Sequence, residues 1–132
     1  MERPAQPDGA SEGELTLAFV QARMGSTRLP GKVLAPLAGS PALLRIVERL
    51  DRVDALDGTV VLTSDSGRDD PIASLCDAAG VTCMRGSEHD VLDRFHVAAD
   101  ALHPRVIVRI TADCPLVDAE VIGQLLALHA AR

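Results

Sequence analysis

The sequence predicts an α/β domain in which a mostly parallel sheet carries helices on both faces. Three observations lead there. Short apolar, β-rich runs alternate with longer segments of helical period. Each run ends in a polar or Gly-rich stretch, the pattern of strands feeding loops at one rim of a sheet. Hydrophobic residues make up 47% of the 132-residue chain and mean hydropathy is +0.15, enough apolar material for one buried core.

Residues 1–14 hold Pro4, Pro7, Gly9, Ser11 and Gly13 among four acidic residues and one basic, with no apolar period. They read as a disordered acidic tail preceding a domain over 15–132. Leu17 to Val20 reads as a buried strand opening onto a Gly-rich loop. Ser40-Pro41 reads as a helix start, Ser as cap and Pro in the first turn. Leu43, Ile46, Val47, Leu50 and Val53 mark its apolar face, opposite Arg45, Glu48, Arg49 and Arg52. Thr59 to Thr63 makes a second strand. Asp69-Asp70-Pro71 opens the next helix, with Ile72, Leu75, Cys76 and Ala79 inward and Gly80 as its stop. Val81 to Met84 is a short strand. Asp90 caps a helix whose inward face is Val91, Leu92, Phe95, Ala98, Ala99 and Leu102. Val106 to Val108 with Ile110 forms a buried strand, and Asp118 caps a last helix through Leu128. The chain stops at Arg132 inside an apolar-periodic stretch without a Gly or Pro stop signal, and so reads as the N-terminal part of a longer domain.

Composition excludes several classes of function. Thirteen basic against nineteen acidic residues give a net charge of −6, which disfavours a general binder of nucleic acid or of anionic membranes. Aromatic residues are 2%, with no Trp or Tyr, too few for a base-stacking platform. Cys76, Cys83 and Cys114 contain no C-x-x-C pair and supply neither a disulfide framework nor a zinc knuckle. With no basic-then-apolar leader and no apolar run of membrane-spanning length, a cytoplasmic domain is expected.

The loop after the first strand, Gln21-Ala-Arg-Met-Gly-Ser-Thr-Arg-Leu-Pro-Gly-Lys-Val-Leu34, concentrates glycines, hydroxyls and cations. Glycines let backbone N–H groups turn toward an anion, and Arg and Lys supply charge for phosphate oxygens. The spacing is not that of a P-loop: five residues separate Gly25 from Gly31, and Val33 follows Lys32. Every other cation in the chain is Arg, so Lys32 placed here favours phosphate binding over a merely solvated surface loop.

Asp113 stands just past the last strand, before Cys114-Pro115, in Arg109-Ile-Thr-Ala-Asp-Cys-Pro-Leu-Val-Asp118. A carboxylate there either holds Mg²⁺ across the crevice from the cationic loop or caps its own turn. Asp118 fits a helix cap better than a ligand. Ser87 with Asp90 fits a capping box, whereas Arg94 in a first helical turn opposes the helix dipole and calls for an anion nearby. His89, Asp93, His96, Asp100 and His103 recur at helical spacing, but histidines seven apart lie about 10 Å from one another along a helix, too far to share an ion. They read as a solvated face. Cys114 has no His placed to activate it and reads as a small buried residue.

Together the loop 21–34, Arg85-Gly-Ser87 with Asp90-Val-Leu-Asp-Arg-Phe95, and 109–118 resemble the cytidylyltransferase-type family of spore-coat polysaccharide biosynthesis proteins, homologues of CMP-3-deoxy-manno-octulosonate synthetase. The likeness runs from about Leu17 to the C-terminus with three motifs in order. It implies a Rossmann-like nucleotide-diphospho-sugar transferase fold and transfer of a nucleotidyl group from CTP, or another nucleoside triphosphate, to a sugar or sugar acid. By the same resemblance Arg23 and Lys32 bind the triphosphate, with Ala22, Gly25, Ser26 and Arg28 completing the loop. Asp113 binds the metal, Mg²⁺, and Arg94 of the Asp93-Arg94 pair approaches the nucleotide. Relatives pair as homodimers, so a homodimer is implied too. Ala112 departs from the Gly that relatives often carry. Family members are nearly twice this long, and a second metal-binding aspartate and much of the sugar pocket belong to the part not matched here. Two other readings stay open: a non-catalytic domain that binds nucleotide or a partner chain, and a glycosyltransferase using a finished nucleotide sugar.

Overall fold

A computed structural model describes residues 15–25, 32–37, 39–112 and 119–130. Its main sheet has four parallel strands, β1 (Thr16–Gln21), β4 (Gly58–Ser64), β5 (Thr82–Gly86) and β6 (Val106–Thr111), in the spatial order β5–β4–β1–β6. The order runs outward from β1 in both directions, so the chain reverses its march across the sheet beside β1, where open α/β sheets bind ligands. Helices α1 (Ala42–Leu50), α2 (Asp70–Ala79), α3 (Val91–Leu102) and α4 (Ala119–Ala130) follow or connect the strands. A small antiparallel hairpin, β2 (Pro36–Leu37) with β3 (Ser40–Pro41), precedes α1. No described helix is long and apolar enough to cross a membrane.

β1 is buried along most of its length because both its faces are covered, the condition under which a strand reads as an uninterrupted apolar run. Ala18, Val20 and Ala22 face one way, joining Leu43, Ile46, Val47 and Leu50 of α1, Ile72 and Cys76 of α2, and Ile122 of α4. Leu15, Leu17 and Phe19 belong to the opposite cluster with Val60, Leu62, Met84 and, from α3, Ala98 and Leu102. The expected two-sided α/β arrangement is therefore present. Phe95 of α3 joins it to β6: its ring lies 5.9 Å from that of Phe19, and the Arg109 guanidinium sits over the Phe95 ring at 5.3 Å from its centroid.

Several sequence expectations need correction. Ser40 does not cap α1. Ser40 and Pro41 form β3 of the hairpin, and Pro41, extended at φ −54° and ψ 140°, is the residue preceding the helix, with no side-chain cap. A tertiary pairing has taken the position that local capping chemistry predicted. Ala79 is exposed, since α2 turns its last residue past the sheet before Gly80 ends it at φ 71°. On α3 the inward face is rotated. Leu92 is 78% exposed while Arg94 is 3% exposed, because Arg94 is drawn under the loop that follows β5 by the bonds described below. Asp90, not Ser87, is the N-cap of α3; its carboxylate accepts the Asp93 N–H, and the Ser87 hydroxyl accepts the Asp90 N–H in turn. β6 is not a buried strand but an edge, its residues alternating half-buried and exposed. The tail 1–14, Cys114 and the cap Asp118 lie outside the described residues.

Candidate functional site

The carboxyl ends of β1, β4 and β5 surround a cleft of about 230 Å³. Arg23 and Gly25 line it from the segment after β1, and Ser64, Arg68 and Asp69 from the end of β4 and the turn beyond. Glu88 and His89 contribute from the loop after β5, and Arg94 from the first turn of α3. Its volume lies below the usual range for small-molecule sites, roughly 300–1,000 Å³. It is a part of a site.

The β4 and β5 ends are tied to each other. Arg85 donates from Nε to the Ser64 carbonyl and from Nη2 to the Ser66 carbonyl, both at 2.8 Å, and its Nη1 meets the Asp70 carboxylate at 2.9 Å. One planar guanidinium thus fixes the whole turn between β4 and α2, as a rigid fork can and an ammonium cannot. Above it Arg68 reaches across to Glu88 at 2.5 Å, and its Nη1 lies 3.8 Å from where a Cβ on Gly25 would stand. Arg68 therefore joins the three loops at the mouth of the cleft.

Arg94 is the deepest of the cleft's cations. Its Nε donates to the Ser87 carbonyl at 2.8 Å and its Nη2 to the Glu88 carbonyl at 3.1 Å, which holds the guanidinium against the loop after β5. Among the described residues Nη1 is buried without a hydrogen-bond partner. Gly86 makes the approach possible: a Cβ there would stand 2.9 Å from Arg94 Cγ and 3.1 Å from its Cα. Leaving a donor of a buried charged group unpaired costs about 1–3 kcal/mol or more, so Nη1 calls for an acceptor that the described residues do not supply. On the sequence, Arg94 seemed misplaced in a first helical turn; the carbonyls of Ser87 and Glu88 are what holds it there.

Of the residues singled out from the sequence, Arg23, Gly25 and Arg94 come together in this cleft. Ala22 lies beside it, its side chain buried and its N–H committed to the Leu62 carbonyl at 2.9 Å. Lys32 opens a short 3-10 turn, Lys32–Leu34, against α1; its side chain, together with Ser26, Arg28 and Asp113, lies outside the described residues. The backbone leading to Asp113 is placed, however. Ala112 donates its N–H to the Gln21 carbonyl at 2.9 Å, so the segments after β6 and β1 leave the same rim of the sheet side by side. Among the described residues no group of three His, Cys, Asp or Glu side chains is arranged to hold a metal ion. A magnesium ion bound through one carboxylate, substrate phosphates and water needs no such group. Cys76 is no nucleophile: its bond with the Cys83 thiol, then burial, push its own thiol well above the usual range.

Ser64, Arg68, Asp69, Glu88 and His89 were not read as site residues. Ser64 carried a signal, its place at a strand's polar end. Asp69 resembled a helix cap, and Arg68 and Glu88 resembled ordinary solvated charges.

Comparison with known proteins is consistent with this architecture. The spore coat polysaccharide biosynthesis protein SpsF of Bacillus subtilis (strain 168) is 46% identical over 118 residues, covering 86% of this chain and 49% of SpsF. The 3-deoxy-manno-octulosonate cytidylyltransferase of Trichlorobacter lovleyi is 34% identical over 111 residues, covering 83% of this chain and 43% of that enzyme. Among solved structures, a cytidylyltransferase from Leptospira borgpetersenii superposes with a TM-score of 0.81 at 36% identity, over 87% of this chain and 48% of that one. The chain thus spans about half the length of the curated relatives it matches. The family model described as cytidylyltransferase matches residues 17–132, and with the parallel sheet, the reversal beside β1 and the cationic rim already in place, the chain belongs to the cytidylyltransferase family.

Proposed function

We propose that this chain is the nucleotide-binding part of a nucleotidyltransferase that activates a sugar or sugar acid with CTP, releasing pyrophosphate, for surface polysaccharide biosynthesis. The observation that carries the reading is the Nη1 of Arg94, buried and without a partner among the described residues, in a cleft that also gathers Arg23 and Arg68. Glu88 offsets Arg68, and the guanidiniums of Arg23 and Arg94 in the same cleft suit an anionic ligand. The names of the relatives supply the class of ligand, a cytidine nucleotide and a sugar acid.

In this reading Arg23 and Lys32 hold the β- and γ-phosphates, with Gly25, Ser26 and Arg28 shaping the loop, and Arg94 contacts the nucleotide deeper in the cleft. A sugar oxygen attacks the α-phosphorus, and the bond from that phosphorus to the bridging oxygen of pyrophosphate breaks in line. The cations of the loop neutralise the leaving group as its charge forms. Mg²⁺ at Asp113 would supply charge neutralisation on the phosphate oxygens. No covalent enzyme intermediate is required.

Calorimetry tests this. The chain takes up CTP in the presence of Mg²⁺, and Lys32→Ala abolishes the uptake; a wild-type chain with no affinity for CTP, or a variant that binds equally well, would overturn the reading. One alternative is a domain that binds nucleotide without turning it over. Pyrophosphate release from CTP across candidate sugars separates the two, since the non-catalytic domain releases none.

A further inference from the structure

Asp69 stands at the N-cap position of α2, where an aspartate ordinarily turns its carboxylate onto the second or third amide of its own helix. It does not do so here: no side-chain cap bond is made, and Pro71, at the start of the helix, has no N–H to offer. The carboxylate is spent elsewhere. Oδ1 accepts the N–H of Met24, 45 residues earlier in the chain, at 2.8 Å, and Oδ2 accepts the hydroxyl of Ser64, the last residue of β4. Ser64 Oγ in turn accepts the Ser66 N–H at 3.2 Å. Asp69 is 4% exposed, and both its oxygens are occupied by donors.

Met24 lies between the two residues of the segment after β1 that line the cleft, Arg23 and Gly25. Ala22 is already bonded to Leu62 of β4, so the Met24 bond is a second tie, two residues on, between this segment and the β4 side. Beyond the last rung of the ladder a glycine-containing segment has no regular partner, and its peptide planes are free to rotate. The Asp69 carboxylate removes that freedom where the direction of Arg23 and of the following amides is decided.

We propose that Asp69 is the positioning residue of the phosphate loop: its buried carboxylate, diverted from helix capping, holds the Met24 peptide so that Arg23 and Gly25 face the cleft before nucleotide arrives. This rests on the CTP reading above and deepens it. With both its carboxylate oxygens taken by Met24 and Ser64, Asp69 acts through the loop backbone, lowering the ordering cost of binding.

The test compares Asp69→Ala and Asp69→Asn in the full chain, with Leu50→Ala, at the far end of α1, as a control for lost stability. Amide exchange at Met24 is read without nucleotide, and CTP affinity by calorimetry with Mg²⁺. Asp69→Ala is expected to speed Met24 exchange at least tenfold and weaken CTP at least tenfold. Asp69→Asn keeps an acceptor for Met24 and stays within about threefold of wild type in both. Leu50→Ala lowers the thermal midpoint and leaves CTP affinity unchanged. The proposal is overturned if Met24 exchange is unaltered in Asp69→Ala, if Asn behaves as Ala does, or if Leu50→Ala weakens CTP as much as Asp69→Ala. Should the wild-type chain bind no CTP, the nucleotide reading fails by itself, and Met24 exchange still decides whether Asp69 holds the loop.

Discussion

β4 and β6 both pair with β1 in parallel along most of its length, yet they differ in burial. The last five residues of β4 are all buried; β6 alternates half-buried with exposed from end to end. β4 is an inner strand, with neighbours on either side and helices on both faces, whereas β6 has β1 alone beside it in the described sheet. The consequence appears at the rim. Beyond β4 the chain enters a turn held by Arg85 and Asp69, and the cleft is built there. Burial lets a few polar side chains fix a loop, because each bond is made away from competing water. An edge strand offers no such shelter.

Substitutions can break or sharpen that contrast. The largest effect belongs to the buried strands: Phe19→Ala should lower stability by about 3–5 kcal/mol, a fully buried ring being lost from between sheet and α3. Ile107→Ala, at a β6 position 40% exposed, should lower it by about 1 kcal/mol. Urea unfolding of the two variants reads this directly, and equal losses would show that the edge is as well packed as the centre. Next comes Gly86→Ala. The added Cβ meets Arg94 at its Cα as well as its Cγ, so a rotamer change alone cannot relieve it. A loss of about 1–3 kcal/mol and weaker CTP binding are expected; an alanine variant with wild-type stability and affinity would mean that α3 yields without disturbing Arg94.

The smallest effect concerns a carboxylate in the opposite circumstance to Asp69. Asp51 follows the last turn of α1; burial, and secondarily the charge of Glu48, raise its pKa. The folded chain then holds this proton more tightly than the unfolded one. Stability falls as pH rises from the ordinary aspartate range through the raised value, and stays lower above it. Asp51→Asn should therefore melt slightly above wild type at pH 7, with the difference vanishing near pH 3 where both chains are neutral at this position. A variant that melts lower at pH 7 would contradict the sign.

What could be read from the sequence follows the range of the interaction responsible. The strands around β1, the stop at Gly80 and the cap at Asp90 depend on neighbours a few residues away, and period and capping chemistry report them. Arg23 and Gly25 were found through a loop rich in glycine and cations, Arg94 through its place in a first helical turn, and all three through the resemblance. Asp69 was not, because its partner Met24 is remote in sequence and an aspartate before a helix already has a local explanation. Arg94 was expected near an anion, yet a charged residue on a helix of mixed pattern gives no sign that it is buried. Ser40 failed for the converse reason: the local rule was sound and a hairpin displaced it.

The position of β1 also bears on how the chain is made. It precedes both its partners in the chain, and Leu17 pairs with Gly58 and Ile107, about 40 and 90 residues later. At roughly 5–20 residues per second of synthesis, Phe19 and its neighbours wait about 5–20 s for the last of the four strands. A nascent chain built this way presents a buried apolar strand early and completes its pairing late, which makes the interval between β1 and β6 a period in which a chaperone would find apolar surface to hold.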